Sequence, residues 1–195
     1  RDTRRTAQIR VLKNGEHNPI VPGVIILKGK IVLITGATSG IGKETSIGLA
    51  KLGANIVFTA RNLQNGEMTK DEIIKNSNSN KVDFIYCDLA SFESIQSCCD
   101  KFKAGYDQLH VLINNAGIWN SKRRESKDGI EETFAVNYLA PFLMTNLLLD
   151  VLKKSSPSRI INVSSQAHKG TINFDDIEFK KSYSGWKAYS HSKLA

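Results

Sequence analysis

Short aliphatic runs recur along this chain, each followed by a turn-forming cluster and then by a stretch with helical spacing. Ile31-Val32-Leu33-Ile34 is the first such run, and three of its four residues are β-branched. It is too short for an ordinary helix and apolar on both faces, which predicts a strand buried inside a parallel sheet. Residues 43–52 then place Ile47, Leu49, Ala50 and Leu52 on a helical stripe, and Gly53 stands where a left-handed C-cap would end it. The strand pattern returns at 54–60, 82–87, 109–113 and 159–165, with helical spacing at 68–75, from Ser91 to about Lys103, at 130–151 and at 185–195. Pro141, inside the longest of these helices, should kink it or open its hydrogen-bond ladder near Asn137. Residues 1–28 carry the turn formers Asn14-Gly15, Pro19, Pro22 and Gly23, which leave room for at most one short strand near 8–12.

Five strands alternating with helices predict an α/β fold, a doubly wound parallel sheet in the order 3-2-1-4-5. Ligands of such sheets bind at the carboxyl ends of the strands. A length of 195 residues suits one domain at 29–195 behind an N-terminal extension, and 41% hydrophobic with 24% charged content is that of a globular protein. No apolar run approaches the roughly 18 residues of a membrane span, and no signal-peptide core opens the chain. The three cysteines, Cys87, Cys98 and Cys99, lack metal-ligand spacing, so no metal site and a reducing, cytoplasmic or other intracellular compartment are expected. The formal charge of +8 invites a nucleic-acid reading, yet the basic residues are scattered and no aromatics interleave with them. A positive surface suits a phosphate-bearing small molecule instead.

The chemistry gathers at the predicted strand ends. After the first strand the glycines fall as Gly-x3-Gly-x-Gly, Gly36, Gly40 and Gly42, and a strand, a bare turn and a helix start in that order make a phosphate site. Side chains there would hold a diphosphate away from the backbone. The second strand closes on Ala60-Arg61-Asn62, where an acidic residue would bond a ribose 2′-hydroxyl; a guanidinium suits a 2′-phosphate, which favours NADP over NAD. Asp88-Leu89 ends the third strand, positioned to accept from an adenine amino group. Asn114-Asn115-Ala116-Gly117 ends the fourth, its small residues leaving room for a flat ring and its amides able to tie neighbouring strands. Ser164-Ser165 ends the fifth, and Tyr189 and Lys193, four residues apart, share one face of the last helix. A phenol is a poor acid near neutral pH, and an adjacent ammonium eases its ionisation.

Thr35-Gly36-x3-Gly40-Ile41-Gly42, Asn-Asn-Ala-Gly and Tyr-x3-Lys, in that order, resemble the three motifs of the short-chain dehydrogenase/reductase family. Gly42-Lys43-Glu44-Thr45, Val136-Asn137-Tyr138-Leu139, the Asn-Val-Ser-Ser-x-Ala-His run at 162–168 and the ending Tyr-Ser-His-Ser-Lys-Leu-Ala look like its retinol dehydrogenase group and the WW-domain oxidoreductase relatives. The long interval of 24 positions from Ser165 to Tyr189 is also that group's. The resemblance covers roughly 29–195 and implies a Rossmann-like domain and an NADP-dependent oxidoreductase acting on a carbonyl or alcohol, such as a lipophilic aldehyde, retinoid or steroid. It implies catalytic roles for Asn137, as holder of a proton-relay water, and for Ser165, Tyr189 and Lys193. It assigns the nucleotide to Gly36, Thr38, Ser39, Gly40, Ile41, Gly42, Arg61, Asn62, Asp88, Leu89, Asn115, Ala116 and Gly117, with Tyr189 and Lys193 at the nicotinamide end. Family members continue well past Tyr-x3-Lys with further strands and a substrate loop. The expectation is therefore that this chain binds the adenosine half of the cofactor and is weakly active or inactive unless it is part of a longer protein, which could form a homo-oligomer. A non-catalytic nucleotide-binding module is the other reading.

Overall fold

The computed structural model describes residues 27–195, so the strand suggested at 8–12 lies outside the described residues. Strands β1 (Ile31–Ile34), β2 (Asn55–Ala60), β3 (Val82–Tyr86), β4 (Val111–Asn114) and β5 (Arg159–Asn162) are all parallel, in the expected order β3-β2-β1-β4-β5. Strand β1 is central, and Val32, Leu33 and Ile34 are wholly buried. Alternation sends them to opposite faces. Leu33 joins Ile95, Phe102, Met144 and Leu148 on one side of the sheet, while Val32 and Ile34 join Ile47, Ala50, Phe58 and Ile73 on the other. That two-sided burial explains why β1 is an uninterrupted aliphatic run with no polar face.

Helices α1 (Gly40–Lys51) and α2 (Leu63–Ser77) supply the second of those layers, and α3 (Phe92–Gly105) with α5 (Ala140–Leu147) supplies the first. Two helices begin earlier than their apolar spacing predicts. Gly40 and Gly42 lie in the first turn of α1, where free N–H groups face outward. Helix α2 starts at Leu63 because the Asn62 side chain caps it, accepting the Asn65 N–H at 2.8 Å. At the other end of α1, Gly53 takes φ +90, as a left-handed C-cap requires.

The predicted helix at 130–151 is broken in two places. It runs as α4 (Glu132–Phe134), a π-helical turn (Ala135–Leu139), α5, and then α6 (Leu149–Lys154). Pro141 causes the first break: it has no N–H to offer the carbonyl four residues back, and the ladder widens so that the Ala140 N–H reaches the Ala135 oxygen. The second, at Leu148, left no mark in the apolar pattern. The chain closes in α7 (Gly185–Leu194). Strand β5 is shorter than expected and stops at Asn162, leaving both serines beyond it.

Cys87, Cys98 and Cys99 are core residues, and burial pushes the Cys99 thiol up to about 12. No helix among the described residues is long and apolar enough to cross a membrane.

Two buried imidazoles predict that the fold loses stability in mild acid. Burial, aided by the Lys30 ammonium, holds His110 below the usual imidazole range, and its Nδ1 accepts the Ile31 N–H at 3.0 Å. Burial also depresses His191, whose Nε2 accepts the Asn173 N–H at 3.3 Å, against the opposing pull of Glu131. Because the unfolded chain takes up these protons first, their stabilisation is complete above the unfolded pKa of about 6.5 and is lost as pH falls from there toward the folded values. Denaturant unfolding should give a lower midpoint at pH 5.5 than at 7.5, and the double variant His110→Asn/His191→Gln should flatten that difference. An equally steep profile in the double variant would disprove the assignment.

Candidate active site at the carboxyl ends of the strands

The glycines of the turn after β1 answer to two constraints, close neighbours and left-handed backbone. A Cβ on Gly36, at φ +68, would stand 2.7 Å from the Ala116 Cα. One on Gly42 would overlap the Gly36 carbonyl oxygen and the Asn115 amide nitrogen. Gly40 meets nothing within 4 Å, but its φ of +54 is a conformation that side chains disfavour. The end of β4 is thus pressed against the turn, and Thr35 joins the two. Its Oγ1 accepts from the Asn115 and Ala116 N–H groups at 3.1 and 3.0 Å, while the Asn115 side-chain amide donates to the Thr35 and Gly36 carbonyls at 2.8 and 3.0 Å. On the far side, the Asn114 amide donates to Asn162 Oδ1 at 2.8 Å and ties β4 to β5.

A cleft of about 430 Å³ opens over this junction. Gly36, Thr38, Ser39, Ile41 and Gly42 line it from the turn, Arg61 from the end of β2, Asp88 and Leu89 from the end of β3, and Asn115, Ala116 and Gly117 from the end of β4. Gly40 shapes the turn without lining the cleft. Asn62 is not part of it; its side-chain oxygen is spent on capping α2. Arg61 is exposed at the rim. The Asp88 carboxylate accepts the Ala90 N–H at 3.1 Å and lies 3.3 Å from the Lys127 ammonium.

A second cleft, of about 660 Å³, lies beyond the ends of β4 and β5, and Ala116 lines both. Asn137, Ser164 and Lys193 line this one. Lys193 Nζ donates to the Val163 carbonyl at 3.2 Å and sits 6.0 Å from the centroid of the Tyr189 ring. It also stands 3.3 Å from where a Gly117 Cβ would be, so that glycine leaves space for the ammonium. Tyr189 is half-buried, its ring stacked on Trp186 at 6.3 Å. Neither Tyr189 nor Ser165 lines either cleft. Of the two serines it is Ser164 that faces the larger one. Ser165 Oγ accepts the Ala167 N–H at 3.1 Å, which leaves its own O–H free to donate.

The side chain of Asn137 is fully engaged. Its Oδ1 accepts the Ile118 N–H at 2.8 Å, and its Nδ2 donates to the Ile118 carbonyl at 3.0 Å and to Ser192 Oγ at 2.9 Å. Ser192 in turn donates to the Tyr189 carbonyl at 2.8 Å. The Asn137 amide therefore fastens the π-helical turn to α7 and to the strand-end segment at Ile118. The Asn137 backbone carbonyl has no α-helical N–H four residues on, because residue 141 is proline. Thr35, quoted above only as the head of the glycine motif, and Ser192 make ties at the site that the sequence did not assign to them.

A glycine-lined cleft at the carboxyl ends of a doubly wound parallel sheet is the arrangement of dinucleotide-binding folds. The short chain dehydrogenase family model matches residues 30–195, and the chain belongs to that family. It is similar to the polyprenol dehydrogenase of Homo sapiens, at 41% identity over 192 residues, covering 96% of this chain and 57% of that protein. It is likewise similar to retinol dehydrogenase 11 of Homo sapiens, at 42% identity over 177 residues, covering 90% of this chain and 56% of the relative. The chain thus spans somewhat over half the length of these curated relatives. Among solved structures, an uncharacterized protein from Mycobacterium Paratuberculosis superposes with a TM-score of 0.75 at 35% identity over 87% of this chain and 59% of the other. The Pseudomonas aeruginosa RhlG/NADP active-site complex does so with a TM-score of 0.70 at 27% identity, over 88% of this chain and 64% of that one.

Proposed function

We propose that this chain is the nucleotide-binding and catalytic portion of an NADP(H)-dependent oxidoreductase that acts on a carbonyl or alcohol group of a lipophilic substrate, in the manner the names of the retinol and polyprenol dehydrogenases describe for those proteins. One observation carries the reading: the bare glycine turn, the Asn-Asn-Ala-Gly strand end and the Lys193 ammonium converge on Ala116, where the two clefts meet. The turn amides and the N-terminus of α1 would hold a diphosphate, with the ribose and adenine toward Arg61 and Asp88. The nicotinamide, when bound, supplies or accepts a hydride. Tyr189 would give a proton to the substrate oxygen or take one from it, with the Lys193 ammonium 6.0 Å from the centroid of its ring. Ser165 would donate its free O–H to the same oxygen. The Asn137 carbonyl would hold the water that replenishes the proton through Lys193.

Arg61 is the residue proposed to distinguish NADP(H) from NAD(H), because a guanidinium can pair with a 2′-phosphate in a fork geometry. Separate fluorescence titrations with NADPH and NADH test the pocket and the preference together. The expected outcome is tighter binding of NADPH, with Arg61→Ala weakening NADPH by about tenfold to a hundredfold, the worth of a charge-assisted hydrogen bond, and changing NADH little. Equal affinities for the two nucleotides would overturn the preference, and failure to bind either would overturn the nucleotide site.

A further inference from the structure

Away from both clefts, the segment entering α7 meets the start of α4 in a buried polar cluster. Glu131 is wholly buried, with 0% of its surface exposed. Its carboxylate accepts the Thr133 and Phe134 N–H groups at 3.0 and 2.7 Å, capping α4, and lies 3.2 Å from the Tyr183 hydroxyl. The Glu131 N–H donates to the Glu178 carboxylate at 3.2 Å, and Arg123 holds Glu178 from the other side, donating through Nε to its carbonyl at 3.1 Å. A carboxylate taken out of water must find donors on its own lone pairs, so the cluster is a specified contact rather than incidental packing.

The two ends of this contact lead to the proposed reaction centre. Glu131 caps the helical run whose π-helical turn carries Asn137, and Tyr183 immediately precedes the cap position of the helix that carries Tyr189 and Lys193. Helix α7 has only ten residues and its N-cap Ser184 makes no side-chain hydrogen bond. A helix of that length cannot hold its own position, so tertiary ties set it. At its first residue, Gly185, a Cβ would overlap the Asn120 carbonyl oxygen and come within 3.2 Å of the Ser121 Cα; near its end, Ser192 receives the Asn137 amide. The Tyr183 hydroxyl reaches the same Asn120 carbonyl at 3.1 Å as an alternative acceptor, and the Asn120 side-chain amide donates to Glu132 at 2.8 Å.

We infer that Glu131 and Tyr183 are positioning residues: the buried contact between carboxylate and phenol seats α7 against the start of α4, and thereby sets where Tyr189 and Lys193 stand relative to Asn137. The inference rests on the proposed catalytic roles of those three residues, and neither Glu131 nor Tyr183 lines either cleft. Tyr183→Phe keeps the ring and removes only the hydroxyl, leaving the Glu131 cap on α4 intact. In the full 195-residue chain it should speed hydrogen exchange of the α7 amides by about tenfold or more, the worth of one hydrogen bond to a charged group, while amides of β1 to β3 keep their protection. NADPH affinity should stay within about twofold, and kcat should fall while the KM for nucleotide holds, as expected when reacting groups are misplaced without loss of binding. Glu131→Gln, which keeps an acceptor for the cap, should resemble Tyr183→Phe more closely than Glu131→Ala does.

Unchanged α7 protection in Tyr183→Phe would overturn the inference, as would a uniform rise in exchange over sheet and helix alike, which marks general destabilisation. If the wild-type chain binds NADPH but turns over no aldehyde, the catalytic reading falls by itself, and the exchange experiment still decides whether the contact seats α7.

Discussion

Gly36→Ala is expected to abolish measurable NADPH binding. The new methyl group would be held at φ +68 and pushed to 2.7 Å from the Ala116 Cα, a backbone atom that cannot swing aside. The conformational strain alone costs about 1–3 kcal/mol, and relieving the overlap requires moving the end of β4 away from the turn. Such a movement would break the Thr35 hydroxyl bonds to Asn115 and Ala116, so the cradle and the sheet would loosen together. Gly48→Ala is the control. Gly48 lies inside α1 with nothing within 4 Å of its Cβ position, and the substitution should stabilise the chain by about 0.4–1 kcal/mol through helix propensity and reduced freedom of the unfolded state. Nucleotide titration and denaturant midpoints of the two variants, side by side, check the claim. Normal NADPH affinity in Gly36→Ala would remove the glycine turn from the site.

Tyr189→Phe should separate binding from chemistry. Removing a proton donor or acceptor at the substrate oxygen costs on the order of 10²–10⁴ in kcat, with nucleotide affinity nearly unchanged because the cleft proposed for the diphosphate lies elsewhere. NADPH oxidation with a panel of aldehydes, measured for the wild type and the variant, reads out both quantities. Undiminished turnover in the variant would end the proposed role of the phenol. Tight nucleotide binding without turnover in the wild type would favour a non-catalytic nucleotide-binding module.

Both predictions start from features legible in the order of the amino acids alone. The run Ile31-Val32-Leu33-Ile34 has to be buried on both faces, and a sheet buried on both faces and joined by helices has few topologies, of which the order β3-β2-β1-β4-β5 is the one found. The glycine spacing marks the turn, and Pro141 marks the opening beside Asn137. These signals are local: they depend on hydrophobic period, on a missing side chain, or on a missing N–H.

Other positions depend on partners far along the chain or on geometry at an element's edge, which the local pattern does not record. Asn62 stands at the right position for a ribose contact, yet its oxygen is taken by the Asn65 N–H because α2 begins five residues earlier than its apolar spacing suggests. At Ser164 and Ser165 alternation can say only that the two hydroxyls differ, and β5 ends before either, so the backbone beyond Asn162 chooses which one faces the cleft. Asn137 is recognisable as an unusual residue inside a helix, but its ties to Ile118, 19 positions away, and to Ser192, 55 positions away, leave no trace in the local pattern.

A period, a glycine or a proline acts on the few residues around it, so the buried strands and the glycine turn could be read directly from the chain. A hydroxyl or a carboxylate has no assigned role until some distant group arrives beside it. Thr35 became the link between two strand ends only when β1 and β4 were paired, with Asn115 bonded to it from 80 positions away. In the same way Glu131 needed Tyr183, 52 positions along, to become more than the cap of a short helix.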